Sequence, residues 1–170
     1  MPKAKVDAHA VSFLGFAKQY HQAANELLDL HATDGLLRDP IYFLYFHAVE
    51  MALKAFLRAH DVRITGTPWV REKGHRLFEL YEECRSLGLS LGQKDRIGIR
   101  NIVILLDSGN KYQGLRYFTL ESGSLPDLTW TRNVVEQLIK AVQPEVETCA
   151  KRDQIDLTRP VRFKITMKVM

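Results

Sequence analysis

Three groups of side chains in this sequence have the types and spacing to do chemistry. The first is His75 with Arg71, Arg76 and Arg116. Metal-free RNA cleavage needs a base to deprotonate a 2′-hydroxyl and a cation beside the charge that develops on phosphorus. His75 suits the first role, and Arg71, Arg76 or Arg116 the second. His75 also follows Gly74, where a histidine can instead bond backbone and begin a helix. The second group is Lys111-Tyr112-Gln-Gly-Leu-Arg116-Tyr117-Phe118, which interleaves cations with aromatic rings. Such a segment holds phosphate and stacks on bases, and its glycines let the backbone approach a ligand closely. Alternatively its rings plug one end of a bundle while Arg116 pairs with an acidic neighbour such as Glu50. The third group is the stripe His47, Glu50 and Lys54. Glu50 and Lys54 are spaced as an ordinary helical ion pair, and the stripe reads as a partly buried polar network.

No pattern calls for a metal or a cofactor, and neither is expected. Glu72-Lys-Gly-His75 is the one Glu-x-x-His match, whereas dimetal bundles need two such pairs with further carboxylates. Zinc spacings, Walker-type loops, Gly-x-Ser-x-Gly elbows and helix-turn-helix signatures are missing. Cys84 and Cys149 lie far apart in helical patterns and read as buried free thiols.

The elements that must position these groups are helices. The apolar and charged fractions, 46% and 26% of 170 residues, are those of a soluble globular chain with a real core. No uncharged apolar run is long enough to span a membrane, and the opening Met-Pro-Lys-Ala-Lys-Val-Asp has no signal-peptide core. A cytoplasmic, membrane-free protein is expected. The central segment runs from Pro40 to Ala59, with Asp39 placed to cap it. Its apolar residues fall on nearly every side, leaving only His47, Glu50, Lys54, Arg58 and Asp61 as a narrow polar line. A helix of that kind lies in the middle of a bundle.

Around it the spacing predicts a first helix over Asp7 to Leu30, a third from Gly74-His75 to Leu87-Gly88, and a fourth from Gln93 to Asp107. The run Ile102-Val-Ile-Leu-Leu inside the fourth also fits a buried strand. A fifth helix follows Asp127 or Thr129 and reaches about Lys151, with Pro144 expected to kink or split it. Val62 to Gly74 and Asp107 to Thr119 read as connecting segments. Val161, Phe163, Ile165, Met167 and Val169 alternate with polar residues and predict a strand. Six cations against two anions in residues 151–170 account for the whole net charge of +4. The fold class expected is therefore all-α: an up-and-down bundle of four to five helices over residues 1–150. Residues 151–170 are expected to be a basic, strand-like tail that pairs with its counterpart in a dimer, or with the segment Arg116 to Leu120, or stays disordered when alone, the dimer being favoured.

Tyr45-Phe-His-Ala-Val-Glu-Met-Ala-Leu-Lys-Ala-Phe-Leu57 resembles the central helix of HEPN domains (higher eukaryote and prokaryote nucleotide-binding). Gly74-His75-Arg-Leu is similar to that family's His-Asp-Leu start of the next helix, and Arg116-Tyr117 to its Arg-Tyr pair after the fourth. The three motifs occur in the family's order over roughly residues 10 to 145. The resemblance implies a helical bundle, often a homodimer. Its members are either ribonucleases of toxin–antitoxin, defence or RNA-processing systems, or inactive modules that bind nucleotide or protein, sometimes beside a nucleotidyltransferase. The cleaving members carry Arg, four to six residues, then His in a late helix. No histidine follows His75 here, and Arg71-Glu-Lys-Gly-His75 is one residue short of the spacing. The expectation is a non-catalytic, homodimeric module that binds RNA, nucleotide or a partner protein. Its site would be built from Lys111, Tyr112, Arg116, Tyr117 and His75. The alternative is a divergent metal-independent endoribonuclease with His75 as base and Arg71 or Arg116 as cation.

Overall fold

A segment apolar on nearly every side can be buried only if helices pack around its whole circumference. The computed structural model, which describes residues 9–31, 38–64, 75–110 and 126–155, has this arrangement. Its helices are α1 (Ala10–His31), α2 (Arg38–Ala59), α3 (Leu77–Ser86), α4 (Gln93–Asn110) and α5 (Leu128–Arg152). α2 packs against all four of the others. Tyr42, Tyr45, Phe56, Leu53 and Leu57 are among its fully buried side chains.

The strongest partner is α1, which runs antiparallel to α2. Asn25 accepts from the Tyr45 hydroxyl, and the Tyr20 ring stacks on His47. Leu14, Ala17 and Ala24 carry the buried stripe, and Lys18, Gln22, Glu26 and Asp29 face outward, as the spacing predicts. α5 lies parallel to α2 and antiparallel to α1. The Tyr42 hydroxyl donates to the Pro126 carbonyl at one end, and Arg152 grips Asp61 at the other. Polar contacts between α1 and α5 run along the seam, from Asp29–Arg132 through Lys18–Gln143 to His9–Asp153.

The remaining two helices form an antiparallel hairpin laid against α2 and α5. Gly88, at φ +96°, ends α3 in the conformation that glycine adopts most freely. α4 crosses α5 where Gly98 meets Val134, and a Cβ on that glycine would stand 3.3 Å from the valine methyl. The apolar run of α4 is helix rather than strand, with Ile99, Ile102, Val103 and Leu106 inside and Ile97 outside.

α1 begins at Ala10 and α3 at Leu77, each two or more residues later than expected, and other features differ too. α2 begins at Arg38, so Asp39 sits within its first turn and complements the helix dipole instead of capping. α4 extends three residues past Asp107, to Asn110. α5 passes through Pro144 unbroken, because Pro144 and Lys140 both lie on its exposed face. The Lys140 carbonyl, which proline deprives of a donor, is thus on the side that water reaches. Residues 156–170, with the expected tail strand, lie outside the described residues.

Two substitutions check this packing by urea unfolding. Leu53→Ala, in the enclosed centre of α2, is expected to cost about 2–5 kcal/mol. Asp127→Ala removes the acceptor that Trp130 N reaches at 2.8 Å at the start of α5, and should cost about 1 kcal/mol.

Candidate functional site

α2 carries one carboxylate into the interior. Glu50 is 1% exposed, and moving an unpaired carboxylate there would cost several kcal/mol. Two cationic or protonatable partners meet it. Lys54 Nζ, one helical turn on, donates to Oε1 at 2.5 Å, and His75 Nδ1 lies 3.1 Å from the same oxygen. His47 Nδ1 stands 3.9 Å from Oε2, its ring enclosed by Tyr20, Phe43 and Phe46. Burial pushes the Glu50 carboxyl up. The bond from His75 and the charge and bond of Lys54 more than offset this, so its pKa falls below the ordinary 4.5. Glu50 is therefore an anion at neutral pH. Oε2 nevertheless accepts no hydrogen bond among the described residues, and a buried acceptor left open costs about 1–3 kcal/mol.

An ionised Glu50 fixes the tautomer of His75: Nδ1 carries the proton that the carboxylate accepts, and Nε2 points away from it. The His75 side chain is 60% exposed, so the ring's other edge faces solvent. A carboxylate that holds a histidine by one nitrogen and leaves the second free is the base-and-orienter half of acid–base sites.

The position of His75 is set from a third element. It lies two residues before α3, whose first N–H, that of Leu77, donates to Asp107 Oδ1 of α4 at 3.0 Å. That side chain caps the first turn of α3. Burial raises the Asp107 pKa, with the Leu77 and Phe78 N–H groups pulling the other way. Arg76 turns outward to Glu79. The structure thus joins His75 to the Glu50–Lys54 stripe, two groups that were separate in the sequence. Among the described residues Glu50 is met by His75 and Lys54 through Oε1. Arg71, Lys111, Tyr112, Arg116 and Tyr117 lie outside the described residues.

A second cluster had no signal in the sequence. His9, Cys149 and Asp153 bring a nitrogen, a sulfur and an oxygen together where α1 begins and α5 ends. Arg152 and Asp61 flank them. Cys149 and Asp153 are one helical turn apart, but His9 is 144 residues from Asp153, so local spacing cannot complete the set. Cys84, the other thiol, is buried between α2 and α3 and donates to the Leu53 carbonyl.

Among the described residues no helix is long and apolar enough to cross a membrane. No known family's sequence profile matches the chain, and no curated protein matches it. Among solved structures it is similar to an archaeal HEPN homologue, at 16% identity and a TM-score of 0.42. The alignment covers 86% of this chain and 98% of that one.

The depressed pKa of Glu50 gives stability a definite pH dependence. Its contribution is complete above about pH 5 and is lost as pH falls through the folded-state value. Glu50→Gln should therefore be less stable than wild type by about 1.5–3 kcal/mol at neutral pH. The two should converge on acidification, as read by urea unfolding across a pH series.

Proposed function

We propose that this chain is a non-catalytic helical module that binds RNA or a nucleotide beside His75. The observation that carries the reading is the Glu50–His75 pair: a buried, ionised carboxylate holds one ring nitrogen while the other faces solvent. A ring fixed in this way offers a phosphate or a base edge a preoriented partner at little entropic cost. The open acceptor on Glu50 supports the same reading, since buried polar atoms left unmatched are rare in purely structural networks.

The described cations beside the ring are committed, Lys54 to Glu50 and Arg76 to Glu79. The phosphate-holding charge is assigned to Lys111 and Arg116, with Tyr112 and Tyr117 as stacking surfaces. These residues follow α4 in the chain, shortly after the Asp107 that caps α3. We include a homodimer, and a partner protein such as a nucleotidyltransferase or an antitoxin in a toxin–antitoxin or defence setting, as the family resemblance implies.

The second reading, a metal-independent endoribonuclease, draws on the same pair, because a carboxylate-oriented histidine is equipped to act as a general base. It requires a cation on the reacting phosphate, supplied by Arg71 or Arg116. The described part of the site provides half of that machinery, which is why binding is preferred.

One experiment separates the two. A mixed, labelled RNA pool is titrated with wild type, His75→Ala and Arg116→Ala in EDTA, following both anisotropy and chain length. Binding without cleavage, weakened roughly tenfold in each variant and falling steeply with salt, is the expected result. Cleavage by wild type that disappears in His75→Ala would establish the nuclease instead. Neither binding nor cleavage at low salt would overturn both, and variants that bind as wild type does would overturn the binding reading. A monomer mass by light scattering at micromolar concentration would remove the dimer.

A further inference from the structure

The cluster at the joined ends of α1 and α5 has a geometry of its own. Cys149 Sγ lies 3.7 Å from His9 Nε2 and 3.5 Å from Asp153 Oδ2. His9 Nε2 and Asp153 Oδ2 are 3.0 Å apart. A tetrahedral zinc ion with ordinary bond lengths needs about 3.6 Å between a sulfur and either lighter donor, and about 3.4 Å between nitrogen and oxygen. Two edges of the triangle match, and the third has to open by a few tenths of an ångström. From this we infer that His9, Cys149 and Asp153 form a zinc-binding site, with solvent at the fourth position on the exposed side of Asp153.

The charges agree with the geometry. With Cys149 as thiolate, the cluster holds three anions, Cys149, Asp153 and Asp61, against the one cation Arg152. A divalent ion brings it to neutrality. Arg152 borders the ligand face, and most of its bonds lie off it. It grips both oxygens of Asp61, at 2.8 and 2.9 Å, and bonds the other Asp153 oxygen, Oδ1, through Nε. Its Nη2 also stands 3.5 Å from both Sγ and Asp153 Oδ2, long contacts that an ion between these atoms would displace or turn into outer contacts steadying the thiolate.

The protons balance simply. In the absence of metal, His9 Nδ1 accepts from Val11 N at 3.2 Å, so Nε2 carries the ring proton and donates to Asp153. On binding, the Cys149 thiol gives its proton to solvent. The His9 proton moves to Nδ1, which surrenders the Val11 bond. Nε2, Sγ and Oδ2 then each direct a lone pair at the ion. A thiolate, an imidazole and a carboxylate favour zinc over magnesium or calcium. The site is separate from His75 and does not depend on its function.

The test uses the whole chain, stripped with a chelator and dialysed. Zinc is expected to bind one per chain and to raise the thermal midpoint. Cobalt in its place should give a thiolate-to-metal charge-transfer band. Cys149→Ser should abolish the band, and His9→Gln and Asp153→Asn should each weaken zinc binding by at least roughly tenfold. Cys84→Ser, which keeps the donor to Leu53, should leave the band intact. Affinity should fall with pH as the thiol holds its proton. The assignment is overturned if wild type shows neither band nor midpoint shift, or if the band survives Cys149→Ser.

Discussion

Enclosing α2 on every side sets the terms for everything else in this molecule. Its aromatic and aliphatic residues gain by the enclosure, but Glu50 comes with them and cannot be left as an unpaired charge. Lys54, on the same helix, supplies one countercharge from a turn away. The second partner has to come from elsewhere in the chain, and His75 provides it from the start of the α3–α4 hairpin. The packing of the core and the presentation of an exposed histidine are thus one arrangement. The hydrophobic enclosure strips water from the carboxylate, and the stripped carboxylate holds the ring. Asp107 completes this by fixing the first turn of α3, so that the residues just before it have a defined place relative to α2.

The two polar clusters are built on different physical principles. Around Glu50 the charge is buried and local, drawn partly from one helix, and its strength comes from the loss of solvent. Around Asp153 the groups are partly exposed, and their strength comes from number. Arg152 and His9 hold the Asp153 carboxyl well below its ordinary range, while burial and Asp153 push the Cys149 thiol up. Such opposed shifts in adjoining groups mark a place where protons are held under competing demands.

Most of the fold was legible because apolar periodicity records it directly. The all-round pattern of residues 40–59 could belong only to a central helix, and Gly88 stopped α3 where its positive φ is needed. Elements whose ends depend on a partner were not legible. The first residue of α3 is set by an acceptor on α4, thirty residues away, and Pro144 was tolerated because of which face it occupies, which spacing alone did not settle. The same distinction applies to the sites. The His47–Glu50–Lys54 stripe was visible as helical neighbours, and His75 as a candidate, but their contact is tertiary. The His9–Cys149–Asp153 triangle was not recognised, since Cys149 and Asp153 have only an ordinary helical spacing and His9 joins them from the other end of the described chain.

The parallel run of α2 and α5 has a consequence for how the chain acquires its structure. Parallel neighbours cannot be joined by a short turn, and here the crossover contains the whole α3–α4 hairpin. α1 and α2 can pair as soon as residue 59 has been made. The faces that α5 covers stay open until at least residue 128, and the seam from Asp29–Arg132 to His9–Asp153 closes last. Contacts of such long sequence separation are slow to form. The half-built molecule is therefore a two-helix hairpin with an apolar flank still exposed, and this is the stage of synthesis at which association with other chains competes most directly with folding.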